Sequence, residues 1–194
     1  MWEQELKIMI EAGKKAQKKI LEIYHQPFAV EIKSDNSPVT EADKQADKMI
    51  SKILKENFPN YALLTEESTD DLSRLENDFC FIVDPVDGTK DFCAKNDEFA
   101  TNIALSYKHE IVVGVVIIPA KGDIYYAIKG EGAYHLYPNG KVERIHVNDK
   151  KENLILLTSR FHSTEYEKNL PLIDHRIGHY AMVLLLKLVG LLKV

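Results

Sequence analysis

The chain has 194 residues, 45% of them hydrophobic, and a net charge of −5, so it can bury a sizeable core. No basic block appears, which argues against a nucleic-acid polymer as partner, although an acidic protein handles phosphates when metal ions supply the positive charge. Only Cys80 and Cys93 are present, which argues against a disulfide scaffold and for a reducing, cytoplasmic compartment.

Residues 2–25 space Leu6, Met9, Ile10, Gly13, Ala16, Ile20 and Ile23 as one face of a helix, which Pro27 ends. The N-terminus lacks a basic region followed by an apolar stretch, so no signal peptide is expected. Lys33 to Pro38 reads as a polar loop. A second helix is expected from about Thr40 to Asn57, with Ala42, Ala46, Met49, Ile50, Ile53 and Leu54 as its buried stripe. Tyr61 to Thr65 reads as a short strand leading to Glu66 and Glu67, and residues 68–78 as a surface loop. Phe79 to Val83 is the next strand. Further strands are expected at roughly 100–107, 111–118, 123–128, 133–137, 142–147 and 154–158, with hairpin turns at Lys108–Glu110 and Lys121–Asp123. The C-terminal run from Met182 is apolar but too short to cross a bilayer, and Lys187 interrupts it. Two helices followed by strands predict an α+β fold, the helices packed on a largely antiparallel sheet.

The most informative stretch is Ile82-Val-Asp-Pro-Val-Asp-Gly-Thr-Lys-Asp-Phe92. An apolar strand delivers Asp84 and Asp87 into what reads as a tight turn. Pro85 has no N–H for a ladder, and Gly88 permits backbone geometry closed to other residues. Two carboxylates on one side of a bend repel unless a cation lies between them, and oxygen ligands suit a hard ion such as Mg²⁺. Gly88 and Thr89 open a possible helix whose free N–H groups suit a phosphate. Each segment alone has a plainer reading. Asp-Pro-x-Asp-Gly is an ordinary turn, and Glu66-Glu67 a solvated loop end. Thr40 and Asp43 are a helix capping pair, Lys33 is a solvated lysine, and Lys90 and Asp91 are surface residues. His109, His135 and His146 lack metal-ligand spacing and read as structural.

Taken jointly, Lys33-Ser-Asp-Asn-Ser-Pro-Val-Thr-Glu-Ala-Asp43, Glu66-Glu67 and Asp84-Pro-Val-Asp-Gly-Thr-Lys-Asp-Phe92 resemble the inositol monophosphatase superfamily of lithium-sensitive, Mg²⁺-dependent phosphatases. Gly114 to Pro119 and Tyr125 to Ala133 are similar to the family's central hairpin, and the resemblance covers about residues 5 to 165. Lys33 to Pro38, Lys90-Asp-Phe92, Glu98 to Leu105 and Thr158-Ser-Arg-Phe-His162 look like the 3′(2′),5′-bisphosphate nucleotidase branch (CysQ type). That branch converts adenosine 3′,5′-bisphosphate to AMP and phosphate, a by-product clearance in sulfate assimilation.

The resemblance implies an α/β/α layered domain over residues 1–165, and in 166–194 the truncated start of a C-terminal α/β part. It implies two or three Mg²⁺ ions held by Glu66, Asp84, the Val86 carbonyl and Asp87. It implies catalytic roles for Asp43, Thr89 and Glu66, and substrate contacts from Lys33, Glu66, Val86, Asp87, Gly88 and Thr89. Lys33 would offset negative charge. A small phosphate ester is the expected substrate, and a homodimer stays open. Inositol 1-phosphate and fructose 1,6-bisphosphate are the rival substrates, and a non-catalytic metal- or phosphate-binding remnant is the rival class. The family's Gly-Ser-x-x-Leu-Lys helix start and its Trp-Asp pair are missing, and the only tryptophan is Trp2. One permitted coding of residues 181–194 encodes Gly-Ser-Ala-Leu-Lys in the next frame, so a frameshift near residues 175–180 is expected.

Overall fold

A computed structural model describes residues 1–146, 154–158, 161 and 177–181. Ser159, Arg160, His162, positions 175 and 176 of the expected frameshift region and the apolar tail from Met182 lie outside the described residues.

Helix α1 (Glu3–Tyr24) and helix α2 (Glu41–Asn57) flank a small antiparallel hairpin of β1 (Val30–Ile32) and β2 (Pro38–Thr40). Strands β3 (Ala62–Thr65), β4 (Phe79–Asp87), β5 (Ala100–Tyr107), β6 (Glu110–Ile118), β7 (Asp123–Ile128), β8 (Gly132–Leu136) and β9 (Val142–Ile145) follow. They form one seven-stranded sheet in chain order. Only the β3–β4 pair is parallel, and the others are antiparallel. A short 3-10 turn lies at Ser73–Leu75, and helix α3 (Thr89–Ala94) follows β4. Strands β10 (Leu154–Thr158) and β11 (Ile177–Ala181) pair in parallel as a separate two-stranded sheet; β11 had no counterpart among the expected strands. The expected α+β architecture is therefore the one observed. Among the described residues, no helix is long and apolar enough to cross a membrane.

Periodicity accounts for the packing. The α1 residues Met9, Ala16 and Ile20 and the α2 residues Ile50 and Leu54 share a core with Val113, Val115 and Ile117 of β6. The alternate β6 residues, Val116 and Ile118, belong to a second cluster with Ala100 and Tyr125 on the other sheet face. Burial of both faces explains why β6 reads as a continuous apolar run. Gly13 brings α1 close to the sheet: a Cβ there would fall 2.0 Å from Ile117 Cδ1. The Lys108-His109 turn has positive φ at both residues, which matches the twist of a two-residue hairpin.

Strand β4 departs from expectation. It does not end at Val83 in a tight turn but runs to Asp87, and it accommodates Pro85 through a bulge. Asp84 pairs with Asn102 and Asp87 with Ala100, so three steps along β4 match two along β5. The missing Pro85 N–H thus falls where the ladder is already interrupted.

Candidate active site

The bulge sets the geometry of the site. In an unbroken strand, residues three apart face opposite sides, and one extra residue restores them to the same side. The Asp87 charge accordingly reaches Asp84. At the bulge, hydroxyls reach two backbone carbonyls. Thr101 Oγ1 donates to Pro85 O at 2.8 Å, and Thr89 Oγ1 lies 3.1 Å from Val86 O.

The parallel pairing of β3 with β4 brings in Glu66. Thr65 is opposite Val83, and the Glu66 N–H donates to Val83 O at 3.1 Å, so Glu66 comes level with Asp84 just beyond β3. The following turn is pinned twice. The Ser68 N–H donates to Thr65 Oγ1 at 3.1 Å, and Ser68 Oγ donates to the buried Asp47 of α2 at 2.7 Å.

Asp84 is strongly perturbed. Burial first, then the charges of Asp87 and Glu66, push its carboxyl up to about 9. Its Oδ1 is buried and has no hydrogen-bond partner among the described residues. Lys33 is a cation that reaches this acidic group. From the β1–β2 hairpin, its Nζ lies 2.6 Å from Glu67 and 3.5 Å from Glu66. The Glu67 side chain is only 8% exposed, so Glu67 is not a solvated loop end, nor is Lys33 a solvated lysine. Glu66 is the exposed member of the pair.

Asp43 does two things at once. Its Oδ2 accepts from the Thr40 N–H at 2.8 Å and from Thr40 Oγ1 at 2.5 Å, which caps α2. Its Oδ1 accepts from Thr89 Oγ1 at 3.0 Å. The capping pair and the Asp43–Thr89 pair are therefore compatible, because a carboxylate has an oxygen for each. Burial raises the Asp43 carboxyl above the usual range, and the Thr40 and Thr89 hydrogen bonds partly offset this. Gly88 takes the left-handed region at φ 93°, which lets the chain turn from β4 into α3 at Thr89.

Glu66, Asp84, Val86 and Asp87 could hold a metal through three carboxylates and one carbonyl. Among the described residues, no three Asp, Glu, His or Cys side chains form a ready-made ligand set. The fit to Mg²⁺ rests on other features. All the donors are oxygens, the buried Asp84 Oδ1 is unpaired, and Mg²⁺ keeps several waters while binding one or two carboxylates directly.

Three residues were missed or misread in the sequence. Asp91 is 3% exposed and accepts from Asn96 Nδ2 at 2.5 Å, so it is a buried residue of α3, not a surface one. Thr101 and Asn102 line the bulge from β5; they stand in the Glu98–Leu105 motif, but only the pairing register shows what they face.

The Inositol monophosphatase family model matches residues 1–179. The Nus factor SuhB of Escherichia coli is 35% identical over 130 residues, covering 66% of this chain and 48% of that protein. The chain thus spans about half the length of the SuhB relatives it matches. A histidinol-phosphatase of Chlorobaculum parvum is 29% identical over 175 residues, covering 89% of this chain and 66% of that protein. Among solved structures, CysQ from Bacteroides thetaiotaomicron superposes with a TM-score of 0.77 at 33% identity, over 94% of this chain and 73% of that one. The suhB protein of Bartonella henselae gives 0.77 at 26% identity, over 92% and 71%. A family model that spans nearly the whole chain, on a sheet that superposes on these structures, shows that the chain belongs to the inositol monophosphatase family.

Proposed function

We propose that this chain carries the metal and proton-transfer half of a Mg²⁺-dependent phosphomonoesterase. Its substrate is adenosine 3′,5′-bisphosphate, released as AMP and phosphate. One observation carries the reading: the unpaired, buried Asp84 Oδ1 stands among Asp87, Glu66 and the Asp43–Thr89 pair. Burying like-charged carboxylates together is costly unless a cation offsets them.

Mg²⁺, when bound, supplies Lewis acidity and lowers the pKa of water on it. The protein's own groups do the rest. Asp84 and Asp87 face one side of the bulge and Glu66 closes the adjoining edge. Thr89 Oγ1 holds one proton between two acceptors, Asp43 Oδ1 at 3.0 Å and Val86 O at 3.1 Å. When Thr89 directs that proton to Asp43, its lone pairs accept from an attacking water, and the Val86 carbonyl is released to face the site. Asp43, raised by burial, is the proton acceptor at the end of this relay. Lys33, tethered to Glu66 and Glu67, places a positive charge where an anionic ester would approach. The Gly88 and Thr89 amides lie at the start of α3, where backbone donors suit phosphate oxygens.

The substrate assignment draws support from the Lys33–Pro38, Lys90–Phe92 and Glu98–Leu105 segments and from the CysQ likeness. The likeness to the Chlorobaculum parvum histidinol-phosphatase makes histidinol phosphate a necessary comparison. The test measures phosphate release in Mg²⁺ from adenosine 3′,5′-bisphosphate, inositol 1-phosphate and histidinol phosphate, with and without Li⁺, for the parent and Asp84→Asn. The first substrate should be preferred, Li⁺ should inhibit, and the variant should be inactive. Equal rates for parent and variant would remove the metal assignment, and preference for another ester would move the substrate.

A further inference from the structure

Asn102 lies on β5 opposite Asp84 of β4, and its Nδ2 donates to Asp87 Oδ2 at 3.0 Å. Asn102 is therefore the backbone register partner of the first carboxylate residue of the bulge and a side-chain hydrogen-bond donor to the second. A carboxylate only accepts, so the NH₂ must face Asp87 and the amide oxygen must face elsewhere. That oxygen, Oδ1, is buried and has no partner among the described residues. A buried acceptor left unpaired is costly.

We propose that Asn102 is a positioning residue of the cation site. It holds Asp87 Oδ2 by an uncharged donor, which orients the carboxylate without cancelling its charge. Its own Oδ1 is kept for a water or substrate hydroxyl that arrives with the cation. The chemistry favours an amide here. A lysine or arginine would neutralise Asp87 and compete with the cation, and a further carboxylate would repel Asp84 and Asp87. A hydroxyl one atom shorter would not reach Asp87. Outer partners of ligating carboxylates control metal affinity in this way, through orientation. The inference rests on the metal-site reading of Glu66, Asp84 and Asp87, and its test separates the two.

The experiment is a Mg²⁺ titration of the full chain by calorimetry without substrate, paired with melting in EDTA, for the parent, Asn102→Leu and Asp84→Asn. Leucine keeps the shape of asparagine and removes both polar atoms. Asn102→Leu should bind Mg²⁺ about 10–100-fold more weakly, while its melting temperature in EDTA equals or exceeds the parent's. A merely structural asparagine would give the reverse: a lower melting temperature with Mg²⁺ affinity unchanged within about threefold, well short of the loss expected for an outer partner, and that result overturns the proposal. If Asp84→Asn binds Mg²⁺ as the parent does, the metal site itself is wrong. If Asp84→Asn loses binding and Asn102→Leu keeps it, only the role of Asn102 falls. Asn102→Thr, polar and strand-compatible, carries the same titration should the leucine variant not fold.

Discussion

The Asp84→Asn substitution should stabilise the metal-free chain, and added Mg²⁺ should then stabilise the parent far more than the variant. Without metal, burial and the neighbouring carboxylates push the Asp84 carboxyl up to about 9. In the unfolded chain an aspartate ionises near pH 3.9. Across that window the folded chain keeps a proton that the unfolded chain has released, so stability falls as pH rises. The penalty is absent below about pH 4 and complete above about pH 9; at pH 7 it is on the order of 4 kcal/mol. Asparagine has no such penalty, so its EDTA melting temperature should exceed the parent's, with a gap that widens from pH 5 to pH 8. Mg²⁺ narrows the gap, because it binds the ionised parent. At a hundred times its dissociation constant it adds about 2.7 kcal/mol, roughly 5–10 °C for a chain of this size, and little for the variant. Melting curves in EDTA and in MgCl₂ across that pH range decide the matter. A variant less stable than the parent in EDTA, or equal Mg²⁺ shifts for both, would refute the reasoning.

Gly13→Ala should lower the melting temperature although alanine is the better helix former by about 1 kcal/mol. The new Cβ meets the buried Ile117 2.0 Å away, and overpacking of about 1–3 kcal/mol outweighs the propensity gain; an unchanged or higher melting temperature would show that Ile117 moves freely aside. Thr89→Val should cut kcat by about 10²–10⁴-fold with Mg²⁺ affinity nearly intact, while Thr89→Ser keeps the hydroxyl and most of the rate. A Thr89→Val variant that keeps the rate while Thr89→Ser loses it would place the contribution of Thr89 in its methyl group, outside the relay to Asp43. Lys33→Met removes the cation beside Glu67, whose carboxyl burial already raises. The variant should melt lower in EDTA, and increasingly so toward higher pH, since the folded chain then holds a proton that the unfolded chain gives up; a pH-independent difference would count against the ion pair.

Local order is written plainly in this sequence. Apolar spacing marks α1 and α2 to within a residue of their ends, and alternation with turn residues marks β5 and β7 at their observed limits. Asp43, Glu66, Asp84, Asp87 and Thr89 stand out because their segments carry acidic or hydroxyl side chains at the ends of apolar runs, where chain direction changes. What these groups touch depends on segments far apart in the chain. Lys33 meets Glu67 and Asp43 meets Thr89 across 34 and 46 positions. Asn102 reaches Asp87 only because β5 pairs with β4 in one register, and a slip of one residue would turn it to the other face. Pro85 reads as a strand end because it lacks an N–H, yet a bulge absorbs that defect when β5 supplies Thr101 to the Pro85 carbonyl. Periodicity and turn chemistry are properties of neighbouring residues and survive in a one-dimensional reading. Strand register and the burial of a carboxylate arise only when distant segments come together.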